Sequence, residues 1–105
     1  MAEDMILIDV ALTTTEANRG ALVSLLGQTV AGSEAEPGCA TYRATVALDD
    51  PLKFHILELW ESESAYLAHC KGAPLARFLE QLPGCGTIVS INRRTGPFQP
   101  YEKKA

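Results

Sequence analysis

With 105 residues, 47% of them hydrophobic, the chain has material for one compact domain and little for a second, and a domain this small gains from oligomerisation. Nine basic against thirteen acidic side chains give a net charge of −4, and the basic ones form no stripe interleaved with aromatics, so nucleic acid is not an expected partner. Three cysteines (Cys39, Cys70, Cys85) without C-x-x-C spacing suggest neither a disulfide framework nor a thiolate metal site. No export signal is visible in the Met-Ala-Glu-Asp start, and no apolar run is long enough for a bilayer, so the expected setting is reducing and cytoplasmic, away from membranes.

Met5 to Leu12 (M-I-L-I-D-V-A-L) is rich in aliphatic residues and bounded by a threonine run, which predicts a first strand, with Thr13 to Thr15 able to cap the helix after it. From about Thr15 to Glu34, Ala17, Leu22, Leu25, Leu26, Thr29 and Val30 recur at helical spacing. Gly20, Gly27 and Gly32 weaken this helix, and Pro37-Gly38 stops it. Cys39 to Leu48 places Tyr42, Ala44, Val46 and Leu48 on one side, Asp49-Asp50-Pro51 supplies turn chemistry, and Lys53 to Trp60 runs extended, so the pair reads as a hairpin. Ser62 is the expected N-cap of a short helix to about Lys71; Pro74 opens another that Pro83-Gly84 ends. Thr87 to Asn92 (T-I-V-S-I-N) is the last strand, and the chain from Arg93 onward reads as extended or mobile. The expected division is a single domain over 1–94 and a C-terminal tail over 95–105, with two lysines near its end, that can also clasp a partner subunit.

Strand, helix, strand, strand, helix, strand is the split βαβ order of α+β ferredoxin-like folds, one antiparallel sheet with its helices on one face. Strand one offers Ile6, Ile8 and Val10 on one side and Met5, Leu7 and Ala11 on the other; strand three sets Phe54, Ile56 and Trp60 against Leu57 and Leu59. Helices cover only one of these faces, so the other is expected to be an apolar patch closed by a second sheet, in a homodimer packed sheet to sheet.

The strings E-P-G-C-x-x-Y (from Glu36), L-D-D-P-x-K-F (from Leu48), E-L-W-E-S-E-S-A-Y-L-A-H (from Glu58) and A-P-L-A-R-F (from Ala73) closely resemble the antibiotic biosynthesis monooxygenase domain, and the likeness spans about Met5 to Asn92. The resemblance implies a dimeric α+β barrel of ferredoxin-like subunits. It implies much less about activity, since the family includes cofactor-independent oxygenases of quinols and polycyclic phenols, haem-degrading oxygenases, an isomerase of a signalling sugar derivative, and proteins without known activity.

Each candidate site residue has a chemical and a plain structural reading. Trp60, the only tryptophan, could stack on a flat aromatic ligand, but core or interface packing is the default for a strand-end Trp. Tyr66 matches a tyrosine position of the polyketide-oxidising members, where its phenol would hydrogen-bond a substrate oxygen; on the residues alone it could equally keep its hydroxyl at the surface. His69, three residues on, could accept a phenolic proton or make a structural hydrogen bond to Glu58. Glu58 lies on the same strand face as Trp60 and needs a partner if buried, so a Glu58–His69 pair is expected. Arg77 could neutralise an enolate, although solvated helix arginines are commoner. His55 alternates to the face opposite Glu58, and Cys70, diverging by about 100 degrees from His69, reads as a small packing residue rather than half of a Cys–His pair.

Departures from the family pattern narrow the options. Haem-degrading members carry a tryptophan where His69 stands and a ligand histidine about three turns onward, where this chain has Leu79 and no histidine. Isomerase-like members have an Asn-His pair in helix one, which here reads Gly27-Gln28-Thr29-Val30, and many relatives have a second histidine where this chain has Leu75. The resemblance therefore implies a cofactor-independent monooxygenase oxidising a quinol or polycyclic phenol with dioxygen, using no metal, with His69 and Tyr66 catalytic and Trp60, Glu58 and Arg77 binding the substrate. The alternatives are a non-catalytic small-ligand-binding or regulatory dimeric barrel and a polyketide isomerase or cyclase.

Overall fold

A computed structural model describes residues 4–99. The chain forms β1 (Met5–Thr13), α1 (Arg19–Glu34), β2 (Cys39–Ala47), β3 (Asp50–Trp60), α2 (Glu63–Cys70), α3 (Ala73–Gln81), a 3₁₀ turn at Leu82–Gly84 and β4 (Thr87–Gly96). The four strands make one antiparallel sheet in the order β2-β3-β1-β4, the ferredoxin-like α+β arrangement expected from the element order.

Alternation along the central strands sets the layers. Ile6, Ile8, Val10 and Leu12 of β1 and Phe54, Ile56, Glu58 and Trp60 of β3 are buried, and register aligns them in pairs: Ile6 opposite Trp60, Ile8 opposite Glu58, Val10 opposite Ile56. Leu22, Leu25 and Leu26 of α1 and Phe78 of α3 close over this face, making the core a single apolar layer into which Glu58 and His69 are set. Among the described residues the opposite face has no helix. Its cross-strand rows run Thr41–Leu59–Leu7–Arg94, Arg43–Leu57–Asp9–Asn92 and Thr45–His55–Ala11–Ser90, so the apolar patch expected there is a leucine-centred strip with polar and charged flanks.

Several boundaries differ from the sequence expectation, each for a local reason. Helix α1 begins at Arg19 rather than near Thr15, because the Thr15 hydroxyl accepts from Asn18 N at 3.2 Å and holds residues 15–18 in a turn. The hairpin turn is Leu48-Asp49, with Ala47 paired to Asp50, and Asp50 Oδ1 accepts from Leu52 N at 2.9 Å to start β3 earlier than Lys53. Strand β4 continues through Arg93 to Gly96, two residues past the expected domain limit, because β1 has unpaired backbone to offer down to Met5. Residues 1–3 and the end of the tail, including its two lysines, lie outside the described residues. Among the described residues no helix is long and apolar enough to cross a membrane.

Candidate functional site

Three segments distant in sequence meet over the β1–β3 core. The first is the Glu36-Pro37-Gly38 turn, which leaves α1 and enters β2. Gly38 adopts φ 82°, and a Cβ there would stand 2.4 Å from the Ala65 Cβ, so only glycine lets the turn lie against α2. Glu61 N donates to Gly38 O at 2.8 Å and Cys39 N to Glu36 O at 3.2 Å, fixing the turn against the end of β3. The second segment is α2, started where expected by Ser62, whose hydroxyl accepts from Ala65 N. The third is the end of β3, with Glu58 and Trp60.

His69 on α2 is the point where they converge. Its side chain is 2% exposed, its ring stacks on Trp60 with centroids 4.5 Å apart and planes 29° from parallel, and Tyr42 packs beside both. His69 lies beside Glu58 as expected, but its hydrogen bond goes elsewhere: Nδ1 lies 2.6 Å from Glu36 Oε1, whereas Nε2 lies 3.6 Å from Glu58 Oε1, beyond hydrogen-bond reach. Glu58 Oε1 is itself held by Trp60, whose indole N–H donates to it at 3.0 Å. The imidazole thus lies between two carboxylates, hydrogen-bonded to Glu36 through Nδ1 and with Nε2 turned towards Glu58.

Burial pushes the Glu58 carboxyl above its ordinary range, an effect that the Trp60 hydrogen bond and the neighbouring His69 only partly offset. Burial also raises both nearby phenols: Tyr42 well above its usual value, and Tyr66 to about 12, where Cys70 and Glu58 add to the effect and Arg93, over its ring at 5.5 Å, opposes it. Tyr66 therefore stays protonated near neutrality and can donate a hydrogen bond to developing negative charge, whereas the Tyr42 hydroxyl lies by Ser33 of α1.

A cavity of about 160 Å³ lies against this cluster, between the sheet and helices α2 and α3, with Glu58, His69, Tyr42 and Tyr66 at its polar end and Ile8, Phe78 and Leu79 among its apolar walls. Leu79 and Ile91, both more than half exposed, stand on its outer side. A second cleft, about 330 Å³, opens on the other side of His69 between the Glu36–Gly38 turn and Ser64, Ala65 and Ala68 of α2. A larger groove, about 550 Å³, runs between α1 and β2 past Val23, Leu26 and Val46; neither Glu58 nor His69 faces it, so the 160 Å³ cavity is the better seat for acid–base chemistry.

The structure brings together His69, Tyr66, Glu58 and Trp60 among the residues singled out from sequence, but not all in the expected places. Trp60 is fully buried behind His69 and does not line the cavity, in keeping with packing, the default for a strand-end Trp, while also holding Glu58. Arg77 is on the exposed side of α3, beside Gln28 and Thr29 of α1, away from the cavity. His55 faces out on the helix-free side, and Cys70 lies at the cavity wall. Two residues escaped the sequence reading, Glu36 and Tyr42. Both sit in the E-P-G-C-x-x-Y string, and the inward side of β2 containing Tyr42, which pairs with Glu58, was the available signal.

The model of the antibiotic biosynthesis monooxygenase family matches residues 5–85. Similar solved structures include a conserved protein of Bacteroides thetaiotaomicron described as a possible oxidoreductase (23% identity, 90% of this chain and 99% of that one, TM-score 0.83). They also include a Deinococcus radiodurans protein provisionally named an antibiotic biosynthesis monooxygenase (17% identity, 95% and 98%, TM-score 0.78) and a conserved protein of Methanosarcina mazei (18%, 87% and 91%, TM-score 0.79). At these identities the likeness concerns the fold. A comparison with curated proteins finds no match. On the strength of the match across residues 5–85, the chain belongs to the antibiotic biosynthesis monooxygenase family.

Proposed function

We propose that this protein is a cofactor-independent monooxygenase that oxidises a hydroquinone or phenol of one ring with dioxygen. The observation that carries the reading is the small apolar cavity with one carboxyl of raised pKa, Glu58, set beside His69 and two protonated phenols. A volume of about 160 Å³ is close to that of an apolar cavity that holds benzene, roughly 150 Å³. A single ring therefore fits within it, and a polycyclic phenol would extend past Leu79 and Ile91 on its open side.

In this reading the substrate hydroxyl donates its proton to the Glu58–His69 pair, its O–H electrons remaining on the substrate as a phenolate. The electron-rich ring then passes an electron to dioxygen, and the pair of radicals joins through a new ring C–O bond to give a peroxide. The stored proton returns to the peroxide, the O–O and ring C–H bonds break, and one oxygen leaves as water while the other stays as a carbonyl. Hydroquinone plus dioxygen thus balances as hydroxyquinone plus water. Tyr66 supplies an O–H donor to the oxyanion, and Ile8 and Phe78 form the apolar inner wall against which the ring is seated.

A second copy of the chain is part of the proposal, packed on the Leu7–Leu57–Leu59 strip, because a helix-free sheet face with one exposed and two half-buried leucines gains from being covered in a small domain. Oxygen uptake on adding a single-ring hydroquinone to protein freed of metals, lost in His69→Ala, is the expected result. Ring binding without uptake in the folded protein would move the chain to the ligand-binding alternative, and anaerobic turnover would move it to the isomerase.

A further inference from the structure

Two features of the His69 environment are not used by the chemistry above: the short Nδ1 contact to Glu36, and the outer cleft onto which Glu36 opens. Glu36 lies outside the cavity, its side chain 19% exposed against 2% for His69, so it does not touch a substrate seated beside Glu58. A carboxylate has no proton to give, and a ring nitrogen held 2.6 Å from one must be the donor. Neutral imidazole carries a single N–H, so fixing it on Nδ1 fixes a lone pair on Nε2, the nitrogen turned towards Glu58 and the cavity.

We propose that Glu36 is the positioning residue of this site: from the outer cleft its carboxylate holds the Nδ1 proton of His69, so that Nε2 is free to receive the substrate proton and the ring can store it as an imidazolium between two carboxylates. The inference rests on the monooxygenase reading for its kinetic consequences but not for its geometry. In the step itself an O–H bond of the substrate or of Glu58 breaks, an Nε2–H bond forms, and Nδ1–H stays intact. The positive charge created on the ring is met by Glu36, and the proton goes back by the same bonds when the peroxide needs it. Stacking on Trp60 and packing against Tyr42 hold the ring plane while this happens.

Gly72 belongs to the same device. A Cβ at this position would stand 2.5 Å from Glu36 Oε2, and the backbone φ of −84° is one any residue adopts. The His69 carbonyl, 3.3 Å from the same point, has to give by a few tenths of an ångström, so Gly72→Ala should cost little stability while pushing the Glu36 carboxylate off its place.

The test has one arm that needs no turnover and one that does. Nitrogen-15 NMR of the full chain reads the His69 tautomer: wild type is expected to show the proton on Nδ1, and Glu36→Gln and Gly72→Ala to show a mixture of both nitrogens. A wild-type proton on Nε2, or a tautomer unchanged in both variants, would overturn the proposal even if the protein proves to have no oxygenase activity. With an active wild type, Glu36→Gln should lower kcat by about 100-fold, the low end of what a placed base contributes, with KM changed less than about threefold. In Glu36→Ala, added formate, small enough to enter the 330 Å³ cleft, should restore at least tenfold of the lost kcat with saturation, and should do nothing for His69→Ala. An unchanged kcat in Glu36→Gln, or a loss in Glu36→Ala that formate leaves untouched in a protein that melts like wild type, would show that the contact is only structural.

Discussion

Glu58 is the residue whose environment is hardest to explain by packing alone, because a buried carboxylate on an apolar strand face opposes folding whenever it is ionised. Its proton is released near the ordinary value of 4.5 in the unfolded chain and at higher pH in the folded one. The contribution of that proton to stability is therefore complete below pH 4.5 and is lost as pH rises through the folded value. Glu58→Gln keeps an oxygen for the Trp60 N–H and removes the charge. We expect this variant to melt above wild type at pH 8 and by a smaller margin at pH 5, while oxygen uptake falls by at least about 100-fold; a variant less stable than wild type at pH 8 would mean that the ionised form is welcome where it lies. Tyr66→Phe, removing one donor to the oxyanion, should cost about 100-fold in kcat with little effect on melting, since the ring stays in place. At this scale strand alternation made Glu58 legible, on the same face as Trp60, while His69 was marked by its spacing from Tyr66 and by the family resemblance of its string. Glu36 was not legible: its contact with His69 spans 33 residues and depends on how one turn lies against one helix.

Among the elements, the Glu36–Gly38 turn and the start of α2 determine where the site's side chains stand. Gly38→Ala combines a φ of 82° with a Cβ 2.4 Å from Ala65, so we expect it to destabilise the fold by about 1–3 kcal/mol in urea unfolding and to weaken activity through Glu36. Ser62→Ala, losing the cap to Ala65 N, should cost about 1 kcal/mol, and a loss below about 0.3 would show that α2 is held by packing instead. Element order and type were legible in the hydrophobic period, because β1 and β3 alternate cleanly and α1 places Leu22, Leu25 and Leu26 on one stripe. Boundaries were less so. A threonine hydroxyl diverted residues 15–18 into a turn, and β4 was prolonged by a partner strand that its own residues do not announce.

For the whole molecule, family membership and sheet order are established, and the unpartnered face poses the remaining physical question. Leu7, Leu57 and Leu59 form a strip on the two central strands, interrupted by Asp9 opposite Leu57 and bordered on the edge strands by Arg43, Asn92 and Arg94, and a second copy packed here would have to pair Asp9 with a cation such as Arg43 or Arg94. Sedimentation should give a dimer, and Leu57→Lys should shift it to monomer while leaving the Glu36–His69 contact on the other face intact; a wild-type monomer would contradict this packing. The sequence pattern pointed to that face through its leucines, while Asp9 at its middle and the polar edge strands emerge only when strands are set in register. The most direct test of the account is dioxygen consumption by metal-free protein with a panel of single-ring hydroquinones, wild type beside Glu58→Gln and His69→Ala. The account predicts one dioxygen consumed and one hydroxyquinone formed per ring by wild type, and at least a 100-fold loss in both variants. No uptake across the panel by folded wild type, or equal uptake by all three proteins, would contradict it.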